Sequence, residues 1–499
     1  MSTAINIIEK VPFFGGMFKV ESNELNPVNA WPSLIAMTSF VWFFIAAILG
    51  VSLPAMQFMD LGANWYYQNI TLHGAAMAFP FAFQLMVAMS LHRAGACLGK
   101  RADDIYVSLF YICMNVGALL LTLAVLNGFH VTYTVMFPLP VVGAAMGQWS
   151  MGTLILGFTG IALVLTSMIF IYPVKILRMS FFEKTDENLQ LAVRTLKDPG
   201  MVGMIMGVLV LLLTGTPLMI VAGSLLLHLY GIFPASWIGW AADPIVFEFV
   251  FYIFAHNLME AMAIMIIGAV YATLPLCLAD GSRKLYSDKI ALTALWILLV
   301  TSLTSFFHHF YTMYPALPST FAYHGNIMSY ATAIGAALTI FTILATIWKS
   351  GIIASPALFL ILGGFVMYIL DGASAIVISN VAWNFQLHGT MWAGGHAMVV
   401  LIAISALWMG MLYYHFPVMT NRTINDSLAR SSIKYLFISY IGLFYTFMAA
   451  GADGVPRRNA NWDGEWMIYA VLLLIFGCMM LYAFVLYFLS LYRSKAIDY

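Results

Sequence analysis

The chain has 499 residues, 62% of them hydrophobic and only 8% charged, with 21 Lys+Arg balancing 21 Asp+Glu. So few charges cannot clothe a water-exposed globule, which excludes a soluble enzyme, a disordered chain and a nucleic-acid-binding protein and leaves an all-α polytopic membrane protein. Cys97, Cys113, Cys277 and Cys478 lie far apart with no C-x-x-C, so neither a disulfide framework, a covalent c-type heme nor a cysteine-based copper centre is supported.

In chain order, residues 1–31 form a mildly polar arm without the basic start or apolar stretch of a cleaved leader, so the first span is expected to be retained. Apolar runs long enough to cross a hydrocarbon core of about 30 Å follow near 32–54, 68–92, 104–128, 149–173, 201–229, 245–273, 289–313, 325–347, 355–380, 386–414, 431–450 and 465–492. A single twelve-span domain over 32–492, followed by a short tail at 493–499, is therefore expected. The longest polar insert is Phe181–Pro199, and there is no tandem repeat or low-complexity linker. All but two of the 21 Lys+Arg lie in the arm, in the tail, or in and beside the loops after spans 2, 4, 6, 8 and 10, among them Arg93, Lys100, Arg101, Lys175, Arg178, Arg194, Arg283, Lys284, Arg422 and Arg430. The positive-inside rule then puts both termini in the cytoplasm of a cell inner membrane. Arg457 and Arg458 break the bias in the outer loop between spans 11 and 12, and an anionic partner would explain them.

Span 2 carries His73 one to two turns below the outer surface, span 6 carries His256 about three turns in, span 7 ends on His308-His309, and span 10 holds His396 about three turns in. All share the outer half of the membrane, as a site assembled between helices must. The other histidines form no such layer: His92, His228 and His415 lie near helix ends, His130 and His324 in or beside outer loops, and His388 begins span 10. Adjacent histidines can meet one metal only where a helix ends. With His256 they make a three-nitrogen set suited to copper, iron or zinc with an open coordination position; singly, each is as readily a hydrogen-bonded core residue. His396 and Met398 point to nearly opposite sides of one helix, so span 10 can serve two cofactors, and heme iron accepts either His or Met axially. Without a cofactor Met398 is one of 33 methionines in a packed interior. Glu260, four residues after His256, lies one turn deeper on the same face. A carboxylate there is protonated, bonded to a neighbouring helix, or compensated by a cation such as a metal on His256. Glu248 lies nearer the interface, where solvation or proton relay would suit it.

Five segments in this order resemble subunit I of the heme-copper oxidase superfamily, across the whole twelve-span plan. T-L-H-G at Thr71–Gly74 resembles the low-spin heme helix, Ala255–Pro275 the helix giving the first nonheme-metal histidine, and F-F-H-H-F-Y at Phe306–Tyr311 the paired metal histidines. L-H-G-T-M-W-A-G-G-H-A-M-V at Leu387–Val399 is similar to the helix binding both hemes, and G-V-P-R-R-N at Gly454–Asn459 to the arginine pair that holds heme propionates. The resemblance implies two hemes and a nonheme metal: His396 on the high-spin heme, His73 and Met398 on the low-spin heme, His256, His308 and His309 on the metal, and Arg457 and Arg458 on the propionates. Met398 departs from the family's usual second histidine in G-H-x-H.

The second departure is Glu260. Many oxygen-reducing members have there a tyrosine cross-linked to the histidine, whereas nitric oxide reductases of the superfamily show His-x-x-x-Glu and a nonheme iron bound by three histidines and that glutamate. The expectation is a respiratory nitric oxide reductase of denitrification on an oxidase-like scaffold, reducing 2 NO to N2O and water. Glu260, His256, His308 and His309 would form a catalytic nonheme iron centre, with electrons passing from the low-spin to the high-spin heme. The alternative is a terminal O2 reductase with copper, its phenol supplied by Tyr252, Tyr311 or Tyr314. A cofactor-free transporter with a histidine relay is a third reading, but does not account for Arg457-Arg458. With no c-heme or cupredoxin pattern in the chain, the electron donor would be another subunit or a soluble cytochrome c or cupredoxin, giving a hetero-oligomer embedded in membrane lipid. Thr293, Thr301, Thr304 and Tyr271 either line a proton route or simply pack between helices.

Overall fold

Hydrocarbon offers no water to backbone N–H and C=O groups, so apolar runs of this length satisfy them internally as helices. The computed structural model describes residues 30–59, 62–98, 104–130, 149–182, 196–281, 283–313, 318–462 and 464–497, with Ala4, Ile7 and Lys10 of the N-terminal arm. Lys100, Arg101, Arg194, Tyr314, most of the arm and much of the polar insert lie outside the described residues. Among those described, twelve helices are long and apolar enough to cross a membrane: α1 (Ala30–Met59), α2 (Trp65–Leu98), α3 (Ile105–Leu126), α4 (Met151–Phe182), α5 (Pro199–Leu229), α6 (Pro244–Cys277), α7 (Asp288–Thr312), α8 (Ser319–Ser350), α9 (Pro356–Ser379), α10 (Met391–Thr420), α11 (Asp426–Ala452) and α12 (Gly464–Tyr492). The fold is all-α, on the twelve-span plan expected.

Helix starts carry acceptors for their otherwise unpaired N–H groups. Asp104 caps α3, Asp198 caps α5 ahead of Pro199, Asp243 caps α6 and Thr390 caps α10. Two of these caps also hold a cation. Lys175, 2% exposed, reaches Asp104 at 2.6 Å, and Arg93 reaches Asp198 at 3.0 Å.

Three local departures from regular helix shape the interior. In α2, Pro80 has no N–H for the turn before it, and the backbone widens into a π-helical stretch, Met77–Phe83, one turn beyond His73. In α7 the α-helix ends at Ser305 and continues as a tighter 3-10 coil, Phe306–Met313. Before α10, a short helix Val381–Leu387 breaks at a turn, and Thr390 starts α10 afresh. His388 therefore belongs to that turn rather than to the start of span 10.

Glycines set the closest crossings. A Cβ on Gly203 of α5 would stand 2.9 Å from both Gly268 Cα and Ile264 O of α6, and one on Gly200 would stand 2.7 Å from Ala272 Cβ. Small residues thus let these two backbones touch, the usual means of helix association where water is absent. The α9–α10 crossing is similarly tight, with Gly364 against Leu407 and Gly410 against Ile361. At the ends of the chain α12 packs against α1, where the Phe43 and Phe484 rings are 4.0 Å apart, and β1 (Arg422–Thr423) pairs antiparallel with β2 (Lys495–Ala496).

Gly203→Val is expected to force α5 from α6 and destabilise the protein by about 1–3 kcal/mol, read as an earlier thermal transition in detergent. Gly223→Val on the same helix, where an added Cβ meets nothing within 4 Å, should leave the transition in place.

Candidate metal and cofactor site

His256 from α6 and His308 and His309 from the end of α7 converge, with one ligand nitrogen from each lying within 4.8 Å of the others. Ring centroids are 4.8 Å apart for His256–His308, 5.4 Å for His256–His309 and 4.4 Å for His308–His309. Bonds of about 2.1 Å need donors about 3–3.5 Å apart, so the imidazoles close in slightly around an ion. The break in α7 turns both members of the pair inward. Gly325 of α8 makes room for it, since a Cβ there would stand 2.7 Å from the His308 backbone nitrogen.

Hydroxyls on the helices fix the tautomers. Ser329 Oγ donates to Gly325 O at 2.7 Å, so His308 Nδ1–H donates to Ser329 Oγ at 2.9 Å and Nε2 keeps its lone pair for a metal. Ser305 Oγ donates to Ser302 O at 2.9 Å, so His256 Nε2–H donates to Ser305 Oγ at 2.8 Å and Nδ1 keeps the lone pair. His309 stacks on Tyr252 at 4.5 Å and 18°. Glu260 Oε1 lies 3.7 Å from His256 Nε2. A metal on Nδ1 leaves Glu260 as an acceptor facing the protonated nitrogen. A metal on Nε2 would displace the Ser305 hydroxyl and gain Glu260 as a neighbour.

His396 on α10 bonds through Nδ1 to Asp371 Oδ1 of α9 at 2.7 Å, with Ser374 Oγ at 3.4 Å. Sequence reasoning missed Asp371, Ser305 and Ser329. Asp371 had a signal, a lone acid within the apolar run of span 9; the serines had none. On α2, His73 Nδ1 donates to Ala46 O of α1 at 2.7 Å, leaving Nε2 available, and its ring presses on Gly50, where a Cβ would come within 2.5 Å of Cε1. Helix α10 packs against the π-helical stretch of α2 and against α6, α9 and α11. Met398, partly buried, is two residues from His396 on this shared helix.

The arginine loop is tied to the start of α10. Thr390 and Pro456 form an antiparallel bridge, Met391 N donates to Val455 O at 2.8 Å, and Arg457 N donates to Gly389 O at 3.1 Å. Arg458 takes a left-handed turn, φ 60°. Next to it, Gln57 of α1 donates to Asn459 O at 2.9 Å and to the Tyr66 hydroxyl of α2 at 3.2 Å. The two guanidinium-bearing residues therefore sit where α1, α2 and α10 meet. Burial, reinforced by Arg457 and Arg458, pushes the His388 imidazole down to about 4. Its ring lies 6.2 Å from that of His309.

Of the tyrosines named from sequence, Tyr252 reaches the histidine cluster, whereas Tyr311 donates its hydroxyl to Ser379 O at 3.2 Å. Thr301 pairs with Thr332 at 3.1 Å and Tyr271 with Thr339 at 2.9 Å. Thr293 is exposed on the outside of the bundle and bonds its own helix, so it lines no interior route.

Ser329→Ala removes the anchor of His308 Nδ1 and is expected to weaken metal retention about 10–100-fold, measured by titrating the metal-loaded protein with a chelator.

Residues 33–487 match the family described as cytochrome c and quinol oxidase polypeptide I. Cytochrome c oxidase subunit 1 of Thermostichus vulcanus is 23% identical over 452 residues, 86% of this chain and 77% of that protein. Its counterpart in Synechocystis sp. is 22% identical over 460 residues, 87% of this chain and 78% of that one. A heme-copper terminal oxidase dimer solved by cryo-EM shares the fold, with a TM-score of 0.80 over 95% of this chain and 85% of that chain at 18% identity. A family match over nearly the whole length, on a twelve-helix bundle, establishes that this chain belongs to the subunit I family of the heme-copper oxidases.

Proposed function

We propose that this membrane oxidoreductase is the catalytic subunit of a respiratory nitric oxide reductase, carrying out 2 NO + 2 H+ + 2 e− → N2O + H2O. The observation that carries this reading is Glu260, a carboxylate 3.7 Å from His256 Nε2 at the position where many oxygen-reducing relatives have a phenol. A reaction that cleaves no O–O bond needs no such phenol.

The donor set fits the groups the family implies. His73, His308 and His396 each commit Nδ1 to a protein partner and keep Nε2 free, and His256 commits Nε2 and keeps Nδ1. His256, His308 and His309 would hold the nonheme metal, iron in this reading, with Glu260 beside it. His396 would hold the high-spin heme, His73 and Met398 the low-spin heme, and Arg457 and Arg458 the propionates. When bound, these groups would supply single electrons and an open metal position for the gas. The chain itself supplies orientation and protons. Phe306 and Phe310, both buried, flank the histidine pair along the chain. Glu260 can hold a proton at a carboxylate oxygen and pass it toward the reacting gas, while its other oxygen faces His256 Nε2–H. The guanidiniums would offset carboxylates at the outer mouth. Electrons come from a partner subunit or a soluble donor protein.

Oxygen reduction is the second reading, and the comparisons favour it: the relatives named above are cytochrome c oxidases, and the related solved structure is a heme-copper terminal oxidase. Tyr252, stacked on His309, would then be a candidate for the phenol.

The purified complex with an artificial donor is expected to form N2O from NO and to contain one more iron than hemes, with no copper. Stoichiometric copper and rapid O2 turnover without NO turnover would overturn the proposal in favour of the second reading. Glu260→Gln should lower NO turnover by about 100-fold or more with metal and heme content unchanged. Met398→Leu should convert the low-spin heme spectrum to a five-coordinate one and lower its potential; an unchanged optical spectrum excludes the thioether as a ligand.

A further inference from the structure

An aspartate in the middle of a membrane helix is costly unless something holds it. Asp371 of α9 is 3% exposed, and its Oδ1 lies 2.7 Å from His396 Nδ1, in the short range of charge-assisted bonds. Ser374 is no substitute. Its hydroxyl stands 3.4 Å from the same nitrogen and donates its hydrogen to the Asp371 carbonyl at 2.8 Å. The N–H of the imidazole is therefore directed to the carboxylate.

We propose that Asp371 is a positioning residue that orients His396 and strengthens it as an electron donor to the high-spin heme, an inference that rests on the placement of that heme on His396. Three observations carry it. The bond uses Nδ1, so Nε2 faces away from Asp371 with its lone pair in place. The α9–α10 crossing is already closed by Gly364 on Leu407 and Gly410 on Ile361, so the pair is not needed to join the helices. A neutral backbone carbonyl satisfies the same N–H on His73, where Ala46 O accepts at 2.7 Å. The distinction between the two histidines is thus one of charge: a neutral acceptor behind His73, an acid behind His396. An anionic acceptor raises the basicity of the ligating nitrogen, which favours the ferric over the ferrous state and lowers the potential of the heme it holds.

The test uses the purified holo-complex, with resonance Raman spectra of the ferrous enzyme and a potentiometric titration of the high-spin heme. Asp371→Asn keeps the size and an acceptor oxygen but removes the charge. It is expected to shift the iron–histidine stretching band to lower frequency and the potential upward, with heme content retained, and Asp371→Glu should return both toward the parent values. A band and a potential unmoved by Asp371→Asn would overturn the role of Asp371. If Asp371→Asn does not assemble, the parent enzyme decides: a band at the frequency of a neutral imidazole overturns the proposal, and one shifted upward supports it. A complex with no five-coordinate heme at all would overturn the placement on His396, a failure distinct from that of Asp371 alone. NO and O2 turnover do not enter the readout, so the substrate question stays separate.

Discussion

An imidazole has two nitrogens, and in an interior without water one of them must be committed to the protein before the other can be offered to anything else. That constraint organises the centre of this molecule. Ala46 O holds His73, Ser305 holds His256, Ser329 holds His308 and Asp371 holds His396, each partner lying on a different helix from the ring it binds. Each ring therefore reports the relative position of two helices, and the site exists only while the bundle is packed in register. The glycine crossings maintain that register: α5 on α6 beneath His256 and Glu260, α8 on the His308 backbone, and α9 on α10 beside His396.

The chemistry available differs from ring to ring because the partners differ. A carbonyl, two hydroxyls and a carboxylate span the range from neutral to anionic acceptor, and the strength of each ring as a ligand would follow that range. The same logic applies to Glu260, which shares the neighbourhood of His256 Nε2 with Ser305. Which His256 nitrogen would take a metal would decide whether Glu260 stands beside that metal or faces an imidazole N–H as an acceptor, and the Ser305 hydroxyl arbitrates between the two.

Much of the architecture was legible because membrane insertion imposes a length and a composition on each span. All twelve helices coincide with apolar runs seen in the sequence. The break at His308-His309 was also legible, since two neighbours cannot share an ion on an unbroken helix. What escaped were partners that only three-dimensional packing defines. Ser305 and Ser329 are ordinary helix serines until α6 or α7 lies against them. The restart of α10 at Thr390 escaped for another reason, because residues 386–414 read as one continuous apolar run. Pro80 was an unread signal of irregularity in α2, though a proline alone does not say that the helix relieves it with a wider turn. Asp371 was the readable omission: a solitary acid in hydrocarbon implies a companion, and the companion was the already suspect His396.

The bridge between Thr390 and Pro456 carries a consequence for biosynthesis. Because ribosomes build chains from the N-terminus, α10 and every histidine of the central cluster enter the bilayer before the arginine loop that caps them has been translated. The loop that carries Arg457 and Arg458 is completed last, when the final hairpin of α11 and α12 is threaded in and α12 meets α1. The seam formed by Met391, Val455, Gly389 and Arg457 can close only then.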